Sequence, residues 1–500
     1  MRLILTPRQM RALEARAFEL GLPSLLLMEN AARAAAEALK DILGGAAGRD
    51  VLFLIGGGNN GGDGLAMARL WALMGGRPRL LFLGNIKTPD AQANLGYAQA
   101  LGLPGRAWPG DSGEQDDLPI PDAVVDAVYG TGFHGGLPGQ AASLFRIVNA
   151  WQVPRVAVDI PSGVDSASGR AADGAFRATH TLALGHLKTG HALARPLDIL
   201  GEVQVLPIGI PKQAYDTVRN GDTLSALEAS DLAARLPRRA RDAHKGDNGR
   251  VLLYMGSMGL AGAAGLAASA ALACLRAGAG LVTLACERDI IPIIQALAPG
   301  ATCLMIDEAI KAPPRHDVLG LGSGLGQSEQ AWRNILALWD SDKPSLWDAD
   351  ALNMLAARPM KLGEKAVMTP HPGEAARLLG CDFNSVTEDP LGAARELRAQ
   401  YGCVVVLKGA HTVIFDGAQT AINLVGSPAL AKGGSGDALA GVIAALLAQN
   451  PQGNPFEAAR TGCLWHGLAG QLAAGEQGLL SALTTDVIAC LGQAALKYGQ

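Results

Sequence analysis

Val51-Leu52-Phe53-Leu54-Ile55, followed at once by Gly56-Gly57-Gly58-Asn59-Asn60-Gly61-Gly62-Asp63-Gly64, decides how the first half of this chain is built. Five apolar residues in a row read as a buried strand, and Leu65–Met74 carries the periodicity of the helix after it. Glycine lets backbone N–H groups turn outward and approach an anion, and the N-terminus of the following helix adds partial positive charge. Asn59, Asn60 and Asp63 are side chains that such a turn aims into a crevice. An ordinary tight turn explains the glycines, but not two amides and a carboxylate set among them.

Outward from this motif the first half repeats the pattern. A long amphipathic opening, Thr6 to Leu43, leads to the strand at 51–55, then to strands at 79–83, 123–128, 155–160 and 180–184. Short apolar strands separated by helical stretches predict a mostly parallel sheet wrapped by helices on both faces. Ligands of such sheets bind beyond the carboxyl ends of the strands. Three loops there carry polar residues: Gly56–Gly64, Asp126–Gly136 and Asp159–Gly163. The polar stretch Gln213–Asp247 breaks the pattern, predicting a linker near 212–222 and then the opening helix and loop of a second domain. A chain of 500 residues exceeds one core, and the division falls into domains 1–215 and 222–500.

A second strand–helix series starts at Val251, again with polar punctuation after strands: Leu319–Gly326, Trp347–Leu352, Thr369–Glu374, Lys408–Thr412 and Lys432–Gly441. In the last of these, Gly433, Gly434 and Gly436 offer N–H donors to a phosphate ahead of a helix at 442–448. Asp437 stands out, because a carboxylate beside bound phosphate repels it. It reads either as a stabilising N-terminal helix carboxylate or as a base where a substrate hydroxyl meets a nucleotide phosphate.

The formal charge of −4 provides no basic footprint for nucleic acid. The N-terminus lacks a signal-peptide pattern, and the seven cysteines form no Cys-x-x-Cys pair. A cytoplasmic protein is expected. The uncharged run Val251–Leu275 is long enough to span a bilayer, but its glycines predict a strand, a glycine-rich turn and a buried Ala-rich helix.

These motifs resemble a known family. Gly-Gly-Gly-Asn-Asn-Gly-Gly-Asp-Gly, Asp-Ala-Val-Tyr-Gly-Thr-Gly-Phe and Asp-Ile-Pro-Ser-Gly-Val-Asp resemble the NAD(P)H-hydrate epimerase domain. Asp-Ala-Asp-Ala-Leu, Thr-Pro-His-Pro-Gly-Glu, Lys-Gly-Ala-His-Thr and Gly-Gly-Ser-Gly-Asp-Ala-Leu-Ala-Gly resemble the NAD(P)H-hydrate dehydratase domain. Met28-Glu29-Asn30-Ala31 also fits, with Ala32 where the family often has glycine. The resemblance implies an α/β chain, an N-terminal Rossmann-like doubly wound domain followed by a C-terminal ribokinase-like domain. It also implies a substrate, NADH or NADPH hydrated at C6 of the nicotinamide ring. One half would interconvert the R and S forms, and the other would dehydrate the S form at the expense of ADP or ATP with Mg2+.

The resemblance also assigns residues. Asn59, Asn60, Gly61, Gly62 and Asp63, with Gly130, Thr131, Gly132, Phe133, His134, Gly135 and Gly136, would hold the hydrated cofactor in the first domain. Read from the residues themselves, Asp159, at a strand end before Pro161, is the acid/base or its orienting carboxylate, and Lys188 is either a site residue or an exposed solubilising lysine. A potassium ion would be bound by Asn60, Asp126 and Ser162, although Asp126 also reads as a strand-end turn residue. In the second domain Lys408, Gly409, Ala410, His411, Thr412 and Gly436 would contact the adenylate part of the nucleotide. Ala263, Gly324, His371 and Asp437 would face the hydrated cofactor, with His371, between two prolines, otherwise a rigid loop residue. A homo-oligomer without nucleic-acid or membrane partners is expected. The rival reading is a vitamin-precursor kinase fused to a dinucleotide-binding module.

Overall fold

The computed structural model describes residues 2–109, 118–218, 224–257 and 261–499. The chain forms two compact units, Leu3–Thr223 and Leu224–Gln500 with Met1–Arg2.

In the first unit a parallel sheet runs in the order Gly105–Ala107, Arg77–Phe82, Asp50–Ile55, Ala123–Ala127, Arg155–Val158, His180–Leu184, Glu202–Leu206. The order reverses between Asp50–Ile55 and Ala123–Ala127, the switch point at which doubly wound sheets open a crevice. Val51, Phe53 and Ile55 pack into one core with Leu65 and Trp71. Leu52 and Leu54 pack into another with Phe145 and Phe176 on the opposite face. Both faces are covered, which is why the strand reads as an unbroken apolar run.

Several boundaries differ from the sequence reading. The amphipathic opening is two helices, Pro7–Glu19 and Ser24–Leu43, separated around Gly21, whose φ of +94° ends the first. A capping box of Thr6 and Gln9 starts that first helix. Ahead of it lies a strand, Arg2–Leu5, whose Ile4 and Leu5 pair with Leu187 and Lys188. The helix expected from Leu65 begins at Asn59, so the amides and Asp63 occupy its first two turns. Lys212–Thr217, expected in a linker, is a 3-10 turn with Ala214 buried; residues 219–222 of that linker lie outside the described residues.

In the second unit the strands run Thr302–Met305, Leu281–Cys286, Arg250–Tyr254, Val318–Leu321, Ser345–Trp347, Ala366–Met368, Val404–Leu407, Thr412–Phe415, Thr420–Asn423, Leu224–Leu227. Pairing is parallel except on both sides of Thr412–Phe415. No opening helix follows Thr223 among the described residues. Leu224–Leu227 is instead a strand pairing with Thr420–Asn423, a partner too distant in sequence for a local pattern to reveal. The uncharged run resolves into the strand Arg250–Tyr254 and the helix Ala261–Arg276, while Met258, Gly259 and Leu260 of the expected turn lie outside the described residues. That helix packs against Ser435–Gln449 so closely that a Cβ on Gly441 would sit 2.2 Å from the Ala270 carbonyl oxygen. Small residues let the two backbones approach. Among the described residues no helix is long and apolar enough to cross a membrane.

Candidate functional sites

A cleft of about 960 Å³ opens at the switch point of the first unit. Asn59, Asn60, Asp63, Asp159, Gly130, Thr131, Gly132, Phe133, His134 and Gly136 line it together; Gly61, Gly62 and Gly135 do not. The N-cap of helix Asn59–Leu73 is Gly58, which supplies no side-chain cap, so the first-turn N–H groups are available to an anion. None of the six glycines lies in the left-handed region. Five of them are there for close approach, Gly58 being open: a Cβ on Gly61 would fall 1.8 Å from the Gly56 carbonyl oxygen, and one on Gly56 would fall 2.0 Å from that of Val128.

Asp159 follows the strand Arg155–Val158 with φ +70°, a conformation side chains rarely adopt and one that the surroundings must hold. Its Oδ1 accepts from Lys188 Nζ and, at 3.2 Å, from Leu184 N–H. Lys188 also donates to the Leu184 carbonyl at 2.7 Å and is 1% exposed, so it is no solubilising surface lysine. The strand Arg2–Leu5 holds it there through backbone pairing. His191 Nδ1 accepts from the Lys188 N–H at 2.9 Å, and Nε2 donates to the Asp159 carbonyl at 2.7 Å. Burial, then the Lys188 charge, pulls His191 down to about 4, leaving a neutral ring that clamps the pair. Three further carboxyls, Asp63, Glu14 and Asp90, line the cleft. Burial holds Asp63 well above the ordinary carboxylate range and lifts Glu14 to about 7, with Lys188 opposing in both. Glu14 has no signal in the sequence, since it sits in an amphipathic helix where a glutamate looks like any solvent-facing residue.

Asp126 and Ser162 are buried and absent from the cleft lining. Asp126 Oδ1 accepts from Ser162 Oγ at 2.6 Å and Val128 N–H at 3.2 Å, and Oδ2 accepts from Ser162 N–H at 2.7 Å. Ser162 Oγ in turn accepts from Tyr129 N–H at 2.8 Å. Burial pushes Asp126 up to about 6 against these hydrogen bonds. Asn60 packs against the neighbouring Gly130, its Nδ2 buried without a hydrogen-bond partner.

In the second unit the helix expected at 442–448 begins at Ser435, after Gly434 at φ +87°, with no side chain capping it. Asp437 is therefore in its first turn. Burial raises Asp437 to about 6, with the Ser323 hydroxyl beside it pulling down and Asp348 adding to the rise. Lys408, at the end of Val404–Leu407, bonds Asp348 Oδ1 at 2.8 Å and lies 3.9 Å from Glu374 Oε2. Burial favours its neutral form, but the carboxylates of Asp348, Glu374 and Asp437 outweigh that and raise its pKa. A Cβ on Gly436 would lie 3.2 Å from Lys408 Nζ, so the motif glycine, the lysine and the carboxylates form one cluster. Asp348 and Glu374 lie within two of the motifs, but sequence alone does not single them out as site residues.

His371 caps the helix Pro372–Leu379: Nδ1 accepts from Gly373 and Glu374 N–H at 3.0 and 3.3 Å. Burial, Lys408 and Arg377 lower its pKa. Gly324 abuts Ala263, where an added Cβ would come within 2.3 Å, and neighbours Ser323 beside Asp437. Gly409, Ala410 and His411 form the turn between Val404–Leu407 and Thr412–Phe415, closed by Thr412 Oγ1 donating to the Gly409 carbonyl at 3.1 Å.

Fold and sites together define a two-unit α/β nucleotide enzyme, each unit with an uncapped helix N-terminus beside buried carboxylates. A family described as NAD(P)H-hydrate dehydratase matches residues 251–492, and one described as YjeF-related protein N-terminus matches residues 24–190. Two relatives, both named bifunctional NAD(P)H-hydrate repair enzyme, come from Moorella thermoacetica and Escherichia coli. The first is 36% identical, covering 93% of this chain and 91% of its own length. The second is also 36% identical, covering 94% and 90%. A solved ADP/ATP-dependent NAD(P)H-hydrate dehydratase from Bacillus subtilis, co-crystallised with ATP/Mg2+, is 30% identical with a TM-score of 0.50, covering 55% of this chain and 98% of its own. The chain belongs to the family of bifunctional NAD(P)H-hydrate repair enzymes.

Proposed function

We propose that residues 1–215 epimerise the R and S forms of hydrated NADH or NADPH, and that residues 222–500 dehydrate the S form using ADP or ATP. The observation that carries the reading is Asp437, a buried carboxylate raised to about 6 in the first turn of an uncapped helix. Hydroxide is a poor leaving group, and phosphorylation makes it a good one. Asp437 takes the C6 hydroxyl proton as the terminal phosphoryl group arrives, the helix N-terminus and Lys408 hold the phosphates, and phosphate then departs with loss of a ring proton. The side chains of Asp348 and Glu374 are hard oxygen donors that suit Mg2+ accompanying the nucleotide.

In the first unit, Asp159 handles the proton and the Gly130–Gly136 loop holds the dinucleotide. The donor set of Asn60, Asp126 and Ser162 fits K+: the described residues set no cationic side chain against buried Asp126, and the unpartnered Asn60 amide can turn its oxygen to an ion. Such an ion offsets buried charge and fixes the Tyr129–Gly130 turn. Seven free cysteines support a reducing, cytoplasmic setting. Exposed Leu480, Leu483 and Leu496 support self-association, which light scattering would test.

The decisive experiment incubates mixed R and S hydrated NADH with the protein, with and without ADP or ATP and Mg2+, and follows the NADH band. Recovery of both epimers as NADH is expected only with nucleotide. A stable phosphorylated product would instead identify a kinase.

A further inference from the structure

Of the charged side chains that line the first-unit cleft, four come together from different elements. Glu14 comes from the helix Pro7–Glu19, Asp63 from Asn59–Leu73, Asp159 from the strand end after Val158 and Lys188 from the short strand Leu187–Lys188. Three carboxyls, Glu14, Asp63 and Asp159, surround the Lys188 ammonium, and Asp90, Arg11 and Lys87 also line the cleft. Lys188 is already committed to Asp159 Oδ1 and the Leu184 carbonyl. Asp159 Oδ2 makes no hydrogen bond among the described residues, so one of its oxygens is open to a ligand.

We propose that Glu14 is a second catalytic acid/base of the epimerase, working with Asp159 across the nicotinamide ring. This rests on the epimerase reading above. Moving a hydroxyl from one face of C6 to the other calls for a proton donor on one side and an acceptor on the other. Protonated Glu14 gives its proton to the C6 hydroxyl, the C–O bond breaks with its electron pair leaving on water, and the N1 lone pair forms a C6=N1 iminium. A water on the other face attacks C6, the iminium pair returns to N1, and Asp159 takes the proton of that water. The reverse direction uses the same groups in exchanged roles, and no redox partner is required. The Glu14 carboxylate left by that proton transfer stabilises the cationic iminium.

The electrostatics agree. The groups facing Glu14 are Lys188, Asp159, Arg11 and Asp63, and burial is the largest influence, lifting it to about 7. Glu14 therefore keeps a proton to give up to near neutral pH.

The test is Glu14→Gln in the full chain, assayed in both directions with separated epimers in 18O-labelled water. The expected result is a fall in kcat of about 10²–10⁴, substrate affinity changed only a few-fold, and loss of the limb by which wild-type activity declines above about pH 7. Wild-type product should carry one solvent oxygen per inversion. Glu14→Asp, which keeps a titrating carboxyl, should retain a shifted limb; this variant and the oxygen label decide the matter if Glu14→Gln does not fold. Wild-type rate and pH profile in Glu14→Gln, an unmoved limb in Glu14→Asp, or retention of the original oxygen overturns the proposal while wild-type epimerisation stands. A wild-type chain that interconverts nothing overturns the epimerase reading itself.

Discussion

Each unit buries a lysine against an aspartate, but the two pairs do opposite things. Lys188 binds the aspartate expected to handle the proton, Asp159, with side chains 2% and 10% exposed. Lys408 binds Asp348 instead, with side chains 19% and 2% exposed, and acts on Asp437 only through its charge. In the first unit the lysine keeps a cluster of carboxyls from being charged alone. In the second it stands among the carboxylates of Asp348, Glu374 and Asp437, where the proposed mechanism brings the nucleotide phosphates. On the proposed reading, the same kind of pair would serve as counter-ion in one site and as phosphate partner in the other.

The sharpest way to break that contrast is Asp437→Asn. Dehydration should fall by about two to four decades while epimerisation persists. In the wild type, a base raised to about 6 is ionised above that pH and protonated below it. The dehydration rate should therefore drop as pH falls through about 6, and epimerisation should not follow that curve. Wild-type turnover in the variant would remove Asp437 from the mechanism.

Lys188→Met comes next. Removing one partner of a buried pair leaves Asp159 uncompensated beside Glu14 and Asp63, at a loss of roughly 3–5 kcal/mol. Calorimetry should show the first-unit transition shifted down and the second unmoved, with epimerisation lost. A first-unit transition that stays put would show that the ammonium is not the counter-ion its hydrogen bonds describe.

What can be read from sequence divides along physical lines. The run Val51–Ile55 announces itself because both sheet faces are covered, and motif glycines such as Gly56, Gly61 and Gly441 because close approach admits nothing larger. The helix starts are misplaced at both sites for one reason. Asn59–Gly64 and Ser435–Gly441 look like loops, glycine being a poor helix former, yet both are first helical turns held by packing. Leu224–Leu227 and Arg2–Leu5 are invisible because their strand character is conferred by partners distant in sequence. Lys188 is legible only as one of two alternatives and Glu14 not at all, for a related reason: burial of a charged residue is a property of the assembled cleft, and nothing in Leu-Lys-Thr-Gly or Ala-Leu-Glu-Ala records it.

The smallest effect concerns the ion proposed at Asp126, and it sharpens the comparison because the second unit has no counterpart in the proposal. Asp126 is raised to about 6 in the folded chain from an ordinary value of 3.8. A carboxyl raised in this way contributes stability that is complete below its unfolded pKa and lost as pH rises through the folded one. Above about pH 6 the buried carboxylate therefore weighs against folding, by up to roughly 3 kcal/mol for a rise of that size. A bound K+ would offset that penalty only where the carboxylate is ionised. Replacing tetramethylammonium chloride with potassium chloride at constant ionic strength should raise the first-unit Tm by a few degrees at about pH 7.5 and by almost nothing at about pH 5. Asp126→Asn, which keeps the shape and removes the charge, should abolish the difference at both pH values. The second-unit transition is the internal control and should ignore the exchange. Equal potassium gains at the two pH values, or a gain that survives in Asp126→Asn, would place the ion elsewhere and leave Asp126 as the turn-fixing residue its three hydrogen bonds already make it.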